Sequence, residues 1–139
     1  MCIRDSQGSD SIKKNIIIKE DHPFYCDRHR LSMVLTSLLS NSIKFRDTNK
    51  EKCTITVQAE ITKEKVALSV EDNGVGIEPR FINSIFNMFF RATEKHNGAG
   101  LGLYIAKETI EKLHGKITVQ SHYGLETRFH IKLPNYHEG

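Results

Sequence analysis

Apolar residues recur along this chain with two periods, and the switches between them predict most of its elements. "NIIIKED" (15–21) reads as a short strand, and Pro23 interrupts before the next element. Asp27 is placed to cap a helix. From Arg28 to about Phe45, the residues Leu31, Val34, Leu35, Leu38, Ser42 and Phe45 fall on one helical face, which predicts a helix lying on the core. The period then drops to two. Ile55, Val57, Ala59 and Ile61 alternate, "TKEK" turns, and Val66, Leu68 and Val70 return, the signature of a hairpin. "DNGVGIEP" breaks the pattern, and Pro79 is placed to open a short helix through "RFINSIF".

"NMFFRATEKHNGAG" is irregular, and the helical period resumes over 101–113. Ile105, Ala106, Thr109, Ile110 and Leu113 share one arc, Lys107, Glu108, Glu111 and Lys112 the other, and Gly115 is placed as the C-terminal cap. "KITVQS", a turn at "HYGLE" and "TRFHIKLP" supply a second hairpin. The order β, α, ββ, loop, short α, loop, α, ββ predicts an α/β (α+β) two-layer sandwich, helices on a mixed, mostly antiparallel sheet.

Composition narrows the class. A chain of 139 residues is one domain's worth, and 38% hydrophobic with 27% charged residues is ordinary for a globular domain. The apolar runs fall far short of the ~20 residues that span a bilayer, so no membrane contact is expected of this stretch. The net charge is +3, with basic residues scattered among acidic ones rather than gathered on a face, which argues against nucleic-acid binding. Cys2, Cys26 and Cys53 stand far apart with no C-x-x-C pair, suggesting reduced thiols in a cytoplasmic setting. The opening "MCIRDSQGSDSIKKN" lacks the apolar core of a secretory signal. Residues 1–14 are expected to be a disordered or non-native segment, and 15–136 the folded domain.

Three stretches carry candidate chemistry, and each also has a plain structural reading. On the first helix, Ser37, Asn41 and Lys44 lie within about 60° of one another, a polar stripe beside the apolar face. Asn41 offers a neutral oxygen to a hard cation and Lys44 a point charge to a phosphate; equally, Asn41 can bond locally and Lys44 can snorkel. In "SVEDNGVGI", a strand delivers Asp72 to the mouth of a loop with Gly74 and Gly76. A carboxylate accepts only, so it suits the amino donor of adenine and repels the carbonyl of guanine, while the glycines let backbone lie against a ring; an Asx-type turn is the alternative. In "HNGAGLGLYIAKE", Gly98, Gly100 and Gly102 precede a helix. Leu103 stands where a dinucleotide fingerprint needs its third glycine, no strand precedes, and the G-K-[ST] of a phosphate loop is absent. What remains is a helix start with unhindered amides, able to bind an anion or simply to turn the chain. Phe89 and Phe90 read as core anchors, and Arg91 stands close enough in sequence to reach phosphate oxygens or to remain solvated.

Taken in order, these motifs resemble the ATP-binding catalytic domain of two-component sensor histidine kinases in the GHKL superfamily. "LLSNSIKF" resembles the N box, "DNGVGI" the G1 box, "FNMFFRA" the F box, "NGAGLGL" the G2 box and "YGLETRFHIKLP" the closing strand pair, over about 16–134. The resemblance implies a Bergerat ATP-binding fold with a short lid over about 93–97. It implies Mg²⁺ on Asn41, phosphates on Lys44 and Arg91, adenine on Asp72 with Thr127 near it through water, and a phosphate cradle from the backbone of Gly98, Ala99, Gly100, Leu101, Gly102 and Leu103. Gly74, Gly76, Ile77 and Phe90 would complete the nucleotide contacts.

The chain departs from that pattern at Ser37, where the family usually has Asn, at Glu126 in place of the second glycine of the strand motif, and at Ala99, where a small hydroxyl residue is common. In the ATP-hydrolysing relatives the position of Ser37 is a Glu that activates water, and Ser cannot act as that base at neutral pH, so transfer to a protein is favoured over hydrolysis. None of His22, His29, His96, His114, His122, His130 and His137 opens an H-[DE]-x-x-x stretch like the family's phosphoacceptor motif. The implied activity is therefore that of a histidine kinase's donor half. It would bind Mg-ATP and give the γ-phosphate to a histidine on a separate dimerisation and phosphoacceptor hairpin, from which a response-regulator receiver domain takes it. The alternative is a non-catalytic ATP-sensing module of the same fold.

Overall fold

The computed structural model describes residues 2–3, 12–87 and 102–135. Its elements are β1 (Cys2–Ile3), β2 (Ile12–Glu20), α1 (Arg28–Lys44), β3 (Cys53–Ile61), β4 (Lys65–Asp72), a 3-10 helix (Pro79–Phe81), α2 (Gly102–Lys112), β5 (Lys116–His122) and β6 (Glu126–Pro134). The six strands form one mixed sheet in the order β1-β2-β3-β4-β6-β5. Only β2 and β3 run parallel, joined by the α1 crossover, and every other neighbouring pair is antiparallel.

The register sorts the sheet into two faces. Val57, Val70, Phe129 and Val119 stand in one cross-strand row, Ala59, Leu68, Ile131 and Ile117 in the next, and Ile61, Val66 and Leu133 in the last. Together with Leu31, Val34 and Leu38 of α1 and Ala106 and Ile110 of α2, these rows make the core. The opposite face carries Glu71 and Arg128, paired at 2.9 Å, and the polar residues Gln58, Ser69, His130 and Thr118. One face is thus under helices and the other in solvent, as period-2 alternation requires.

α1 begins and ends where the sequence predicts. The Asp27 side chain accepts from the Arg30 amide at 3.1 Å, and Phe45 closes the helix by donating to the Asn41 carbonyl at 3.1 Å. Both hairpins form as expected. Three local expectations are corrected. β2 starts at Ile12, so residues 12–14 belong to the sheet: Ile12 is fully buried opposite Cys53, whereas Ile16, Ile17 and Ile18, the apolar triplet that suggested the strand, are exposed. The element after Pro79 is a single 3-10 turn followed by further turns to Phe86, because the Phe81 and Ile82 amides bond three residues back. The cap of α2 is His114, at φ +64°, and not Gly115. The His114 amide bonds Glu111 O and the Gly115 amide bonds Ile110 O, a Schellman arrangement with His in the left-handed position.

Among the described residues no helix is long and apolar enough to cross a membrane.

Candidate functional site

At the end of the helix-covered face opposite Ile61, Val66 and Leu133, the cross-strand row changes chemistry. Ile55 is followed across the sheet by Asp72, Thr127 and Ser121. Asp72 and Thr127 are 7% and 5% exposed, so a carboxylate and two hydroxyls are held against the edge of an otherwise apolar core. The Ser121 hydroxyl accepts from the Ile77 amide at 2.8 Å, donates to the Glu126 carbonyl at 2.7 Å and lies 3.1 Å from the Thr127 hydroxyl.

Asp72 Oδ1 accepts from the Gly74 amide at 2.9 Å. Burial pushes this carboxyl above the usual carboxylate range, opposed by the Gly74 amide, the Ser42 hydroxyl and the Lys50 charge. Ser42 reaches the site from α1. Its Oγ is buried, lies near enough to Asp72 to favour the charged form, and yet makes no hydrogen bond of ordinary geometry among the described residues.

The loop after Asp72 is wedged between two backbones. A Cβ on Gly74 would lie 2.6 Å from the Phe45 carbonyl oxygen. One on Gly76, whose φ is +75°, would lie 2.5 Å from the His122 carbonyl oxygen. Both glycines are thus required by close approach within the protein, and Gly76 also by its left-handed backbone. The Val75 amide donates to Phe45 O at 3.1 Å and the Gly124 amide to Val75 O at 2.6 Å, tying the C-terminus of α1, this loop and the β5–β6 turn into one unit.

The sequence-predicted residues that the structure describes therefore fall into three groups. Asp72, Gly74, Gly76, Ile77 and Thr127 come together at this end of the sheet. Asn41 and Lys44 stand on the last turns of α1, whose closing residue Phe45 contacts the loop; Asn41 is half-buried, and Lys44 is exposed with its Nζ 5.9 Å from the Phe45 ring centre. Gly102 opens α2, with no atom of another described segment within 4 Å of where a Cβ would sit, and Leu103 packs against the core. Phe90, Arg91, Gly98, Ala99, Gly100, Leu101 and the lid over 93–97 lie outside the described residues. Among the described residues no three His, Cys, Asp or Glu side chains gather to hold a metal. The neutral oxygen of Asn41 suits Mg²⁺, which is commonly held by few protein ligands and completed by water and phosphate oxygens.

The sequence profile of the histidine kinase-, DNA gyrase B- and HSP90-like ATPases matches residues 26–137. The chain belongs to that family. A probable C4-dicarboxylate sensor kinase of Bacillus subtilis is 34% identical over 116 residues, which cover 83% of this chain and 22% of the relative. The solved mycobacterial sensor histidine kinase MprB superposes with a TM-score of 0.76 at 25% identity, covering 92% of this chain and 86% of that one. Full-length ShkA, solved in complex with AMPPNP, superposes with a TM-score of 0.77 at 25% identity over 92% of this chain and 27% of its own. The chain thus corresponds to a sensor-kinase ATP-binding catalytic domain of the GHKL type, and spans about a fifth of the B. subtilis relative.

Three site residues escaped the sequence reading. Ser42 counted only as a position on the apolar face of its helix. Ser121 was legible in principle: once the second hairpin is in register it stands opposite Thr127, which stands opposite Asp72. Lys50 was not, because a lysine in "DTNKEKC" looks like any solvated loop charge.

Proposed function

We propose that this domain binds Mg-ATP at the Asp72 end of the sheet and donates the γ-phosphate to a histidine on a separate helical hairpin. The observation that carries the reading is the buried polar row. Buried polar groups are normally saturated with partners, but among the described residues the Asp72 carboxylate accepts one well-formed hydrogen bond, from the Gly74 amide, and the nearby Ser42 hydroxyl approaches it outside ordinary geometry. A ligand edge bearing an amino donor, as adenine has, complements that set. Asp72 accepts from the amino group while Thr127, its cross-strand neighbour, supports it through water. Gly74, Gly76 and Ile77 form the wall.

In this reading Asn41 holds Mg²⁺, Lys44 and Arg91 neutralise phosphate charge, and the backbone of 98–103 receives the phosphate chain, with Phe90 flanking it. Phosphoryl transfer needs little covalent work from the protein, so positioning and charge neutralisation suffice. Ser37 offers no carboxylate to activate water, which favours a protein acceptor over hydrolysis. The phosphohistidine then serves a response-regulator receiver domain, on the cytoplasmic side where ATP is available.

Calorimetry tests the site: Asp72→Asn should weaken ATP binding at least tenfold, by roughly the 1.5–3 kcal/mol of a hydrogen bond to a charged group, and unchanged affinity would refute the adenine assignment. Asn41→Ala should cost more affinity with Mg²⁺ than without it. Incubation with radiolabelled ATP, Mg²⁺ and a separately made phosphoacceptor hairpin tests the transfer. Label on histidine is expected; ATP binding without label would leave the non-catalytic sensing module as the better reading.

A further inference from the structure

Lys50 lies in the loop between α1 and β3, half-buried, with its ammonium turned onto the protein. It donates to three main-chain carbonyls: Asn73 at 2.6 Å, Gly74 at 3.2 Å and Leu125 at 3.0 Å. A lysine ammonium has three donors, so all of them are spent at one point. The acceptors belong to two turns that meet at the site, the one that follows Asp72 and the one that closes the β5–β6 hairpin. Three carbonyl dipoles converging with their negative ends together repel one another unless a cation sits between them.

The same turn is gripped from the other side. The Asn73–Gly74 peptide is held at its amide by Asp72 and at its carbonyl by Lys50, so the peptide that fixes the carboxylate's orientation is clamped at both ends. Further bonds run in parallel: the Asn73 side chain accepts from the Thr54 amide at 2.8 Å and donates to the Lys52 carbonyl at 2.7 Å. Loss of Lys50 should therefore loosen the turn without unfolding the sheet.

We propose that Lys50 is a positioning residue of the nucleotide site, a cationic clip that fixes the turn after Asp72 against the β5–β6 turn and so sets the pose in which Asp72 and Thr127 meet a base. The inference rests on the reading of Asp72 as the adenine acceptor. Lys50 itself touches no part of the nucleotide. Its removal should cost ADP and ATP the same factor, because the defect lies at the base end that both share.

The test is calorimetric titration of ADP and of ATP, with Mg²⁺, into Lys50→Met, Asp72→Asn and the double variant, well below their melting temperatures. Lys50→Met keeps the aliphatic stem and removes the donors. An affinity loss of about tenfold for both nucleotides is expected, and less than a further twofold loss when Lys50→Met is added to Asp72→Asn, since the group it positions is already disabled. A clip with a purely structural role would lower the melting temperature and leave the affinity of the folded protein unchanged. Parent-like affinity in Lys50→Met beside a weakened Asp72→Asn overturns this proposal alone. Parent-like affinity in Asp72→Asn overturns the underlying adenine reading, and the proposal with it. If Lys50→Met gives no cooperative melt, Lys50→Gln is read by the same criteria, and failure of both to fold overturns the proposal in favour of a stability role.

Discussion

Asn135 and Asp72 are both polar, both buried, and sit at opposite ends of the same sheet. Asn135 has its amide fully engaged: Oδ1 accepts from the Tyr25 amide at 3.0 Å, and Nδ2 donates to the Pro23 carbonyl at 2.8 Å and the Thr62 carbonyl at 2.7 Å. It latches the segment before α1 to the β3–β4 turn. Among the described residues Asp72 accepts one well-formed bond, from the Gly74 amide, with the Ser42 hydroxyl close by but outside ordinary hydrogen-bond geometry. Equal burial thus hides a difference in the hydrogen-bonding capacity left over, and only a group with capacity left can meet a ligand.

That contrast can be broken by substitution. Asn135→Ala leaves an amide and two carbonyls unpaired, so a loss of about 2–4 kcal/mol in denaturant melts is expected, with the ATP affinity of the folded protein unchanged. Gly76→Ala acts at the other end. The left-handed backbone alone costs about 1–2 kcal/mol and the overlap with His122 O adds to it, and here calorimetry should show nucleotide affinity falling together with stability.

Asp72→Asn separates stability from function. Asn keeps an oxygen for the Gly74 amide but carries no charge. Since burial raises the Asp72 pKa in the folded state, the folded protein holds its proton to higher pH than the unfolded chain. The parent therefore loses stability as pH rises from the ordinary carboxylate pKa through the raised one, and regains it on acidification. The variant should be more stable than the parent at pH 7, with the gap closing toward pH 4 in paired melts. A gap that widened on acidification would contradict the burial assignment. The smallest effect lies away from the site: His114→Gly relieves a non-glycine left-handed cap and should add about 0.5–1 kcal/mol while leaving ATP binding untouched.

Legibility in the sequence followed how local the determinant is. α1 and both hairpins are written in periods and turn residues that act within a few positions, and Asp27 caps as its position suggests. β2 differs because its anchor, Ile12, is a lone apolar residue, while the conspicuous triplet Ile16, Ile17 and Ile18 ends up exposed. The turn after Pro79 and the His114 cap depend on backbone geometry that several residue types tolerate. At the site, Asp72, Gly74 and Gly76 were visible as a motif, but the two glycines prove to be wedged between Phe45 and His122, partners far apart in sequence. Ser121 and Lys50 owe their places to pairing between distant segments.

The pairing of β4 with β6 has a kinetic side. β3–β4 and β5–β6 each close through a short turn, whereas Asp72 meets Thr127 only when those two hairpins join across a long stretch of chain. Joining them is the slow, entropically costly contact of this topology. Asp72 lies on one hairpin and Thr127 on the other, so in the proposed reading neither hairpin alone would hold the base. A ligand bound there at a hundred times its dissociation constant would add about 2.7 kcal/mol to the joined state and nothing to the separated one, a late-acting brace across the seam between the two hairpins.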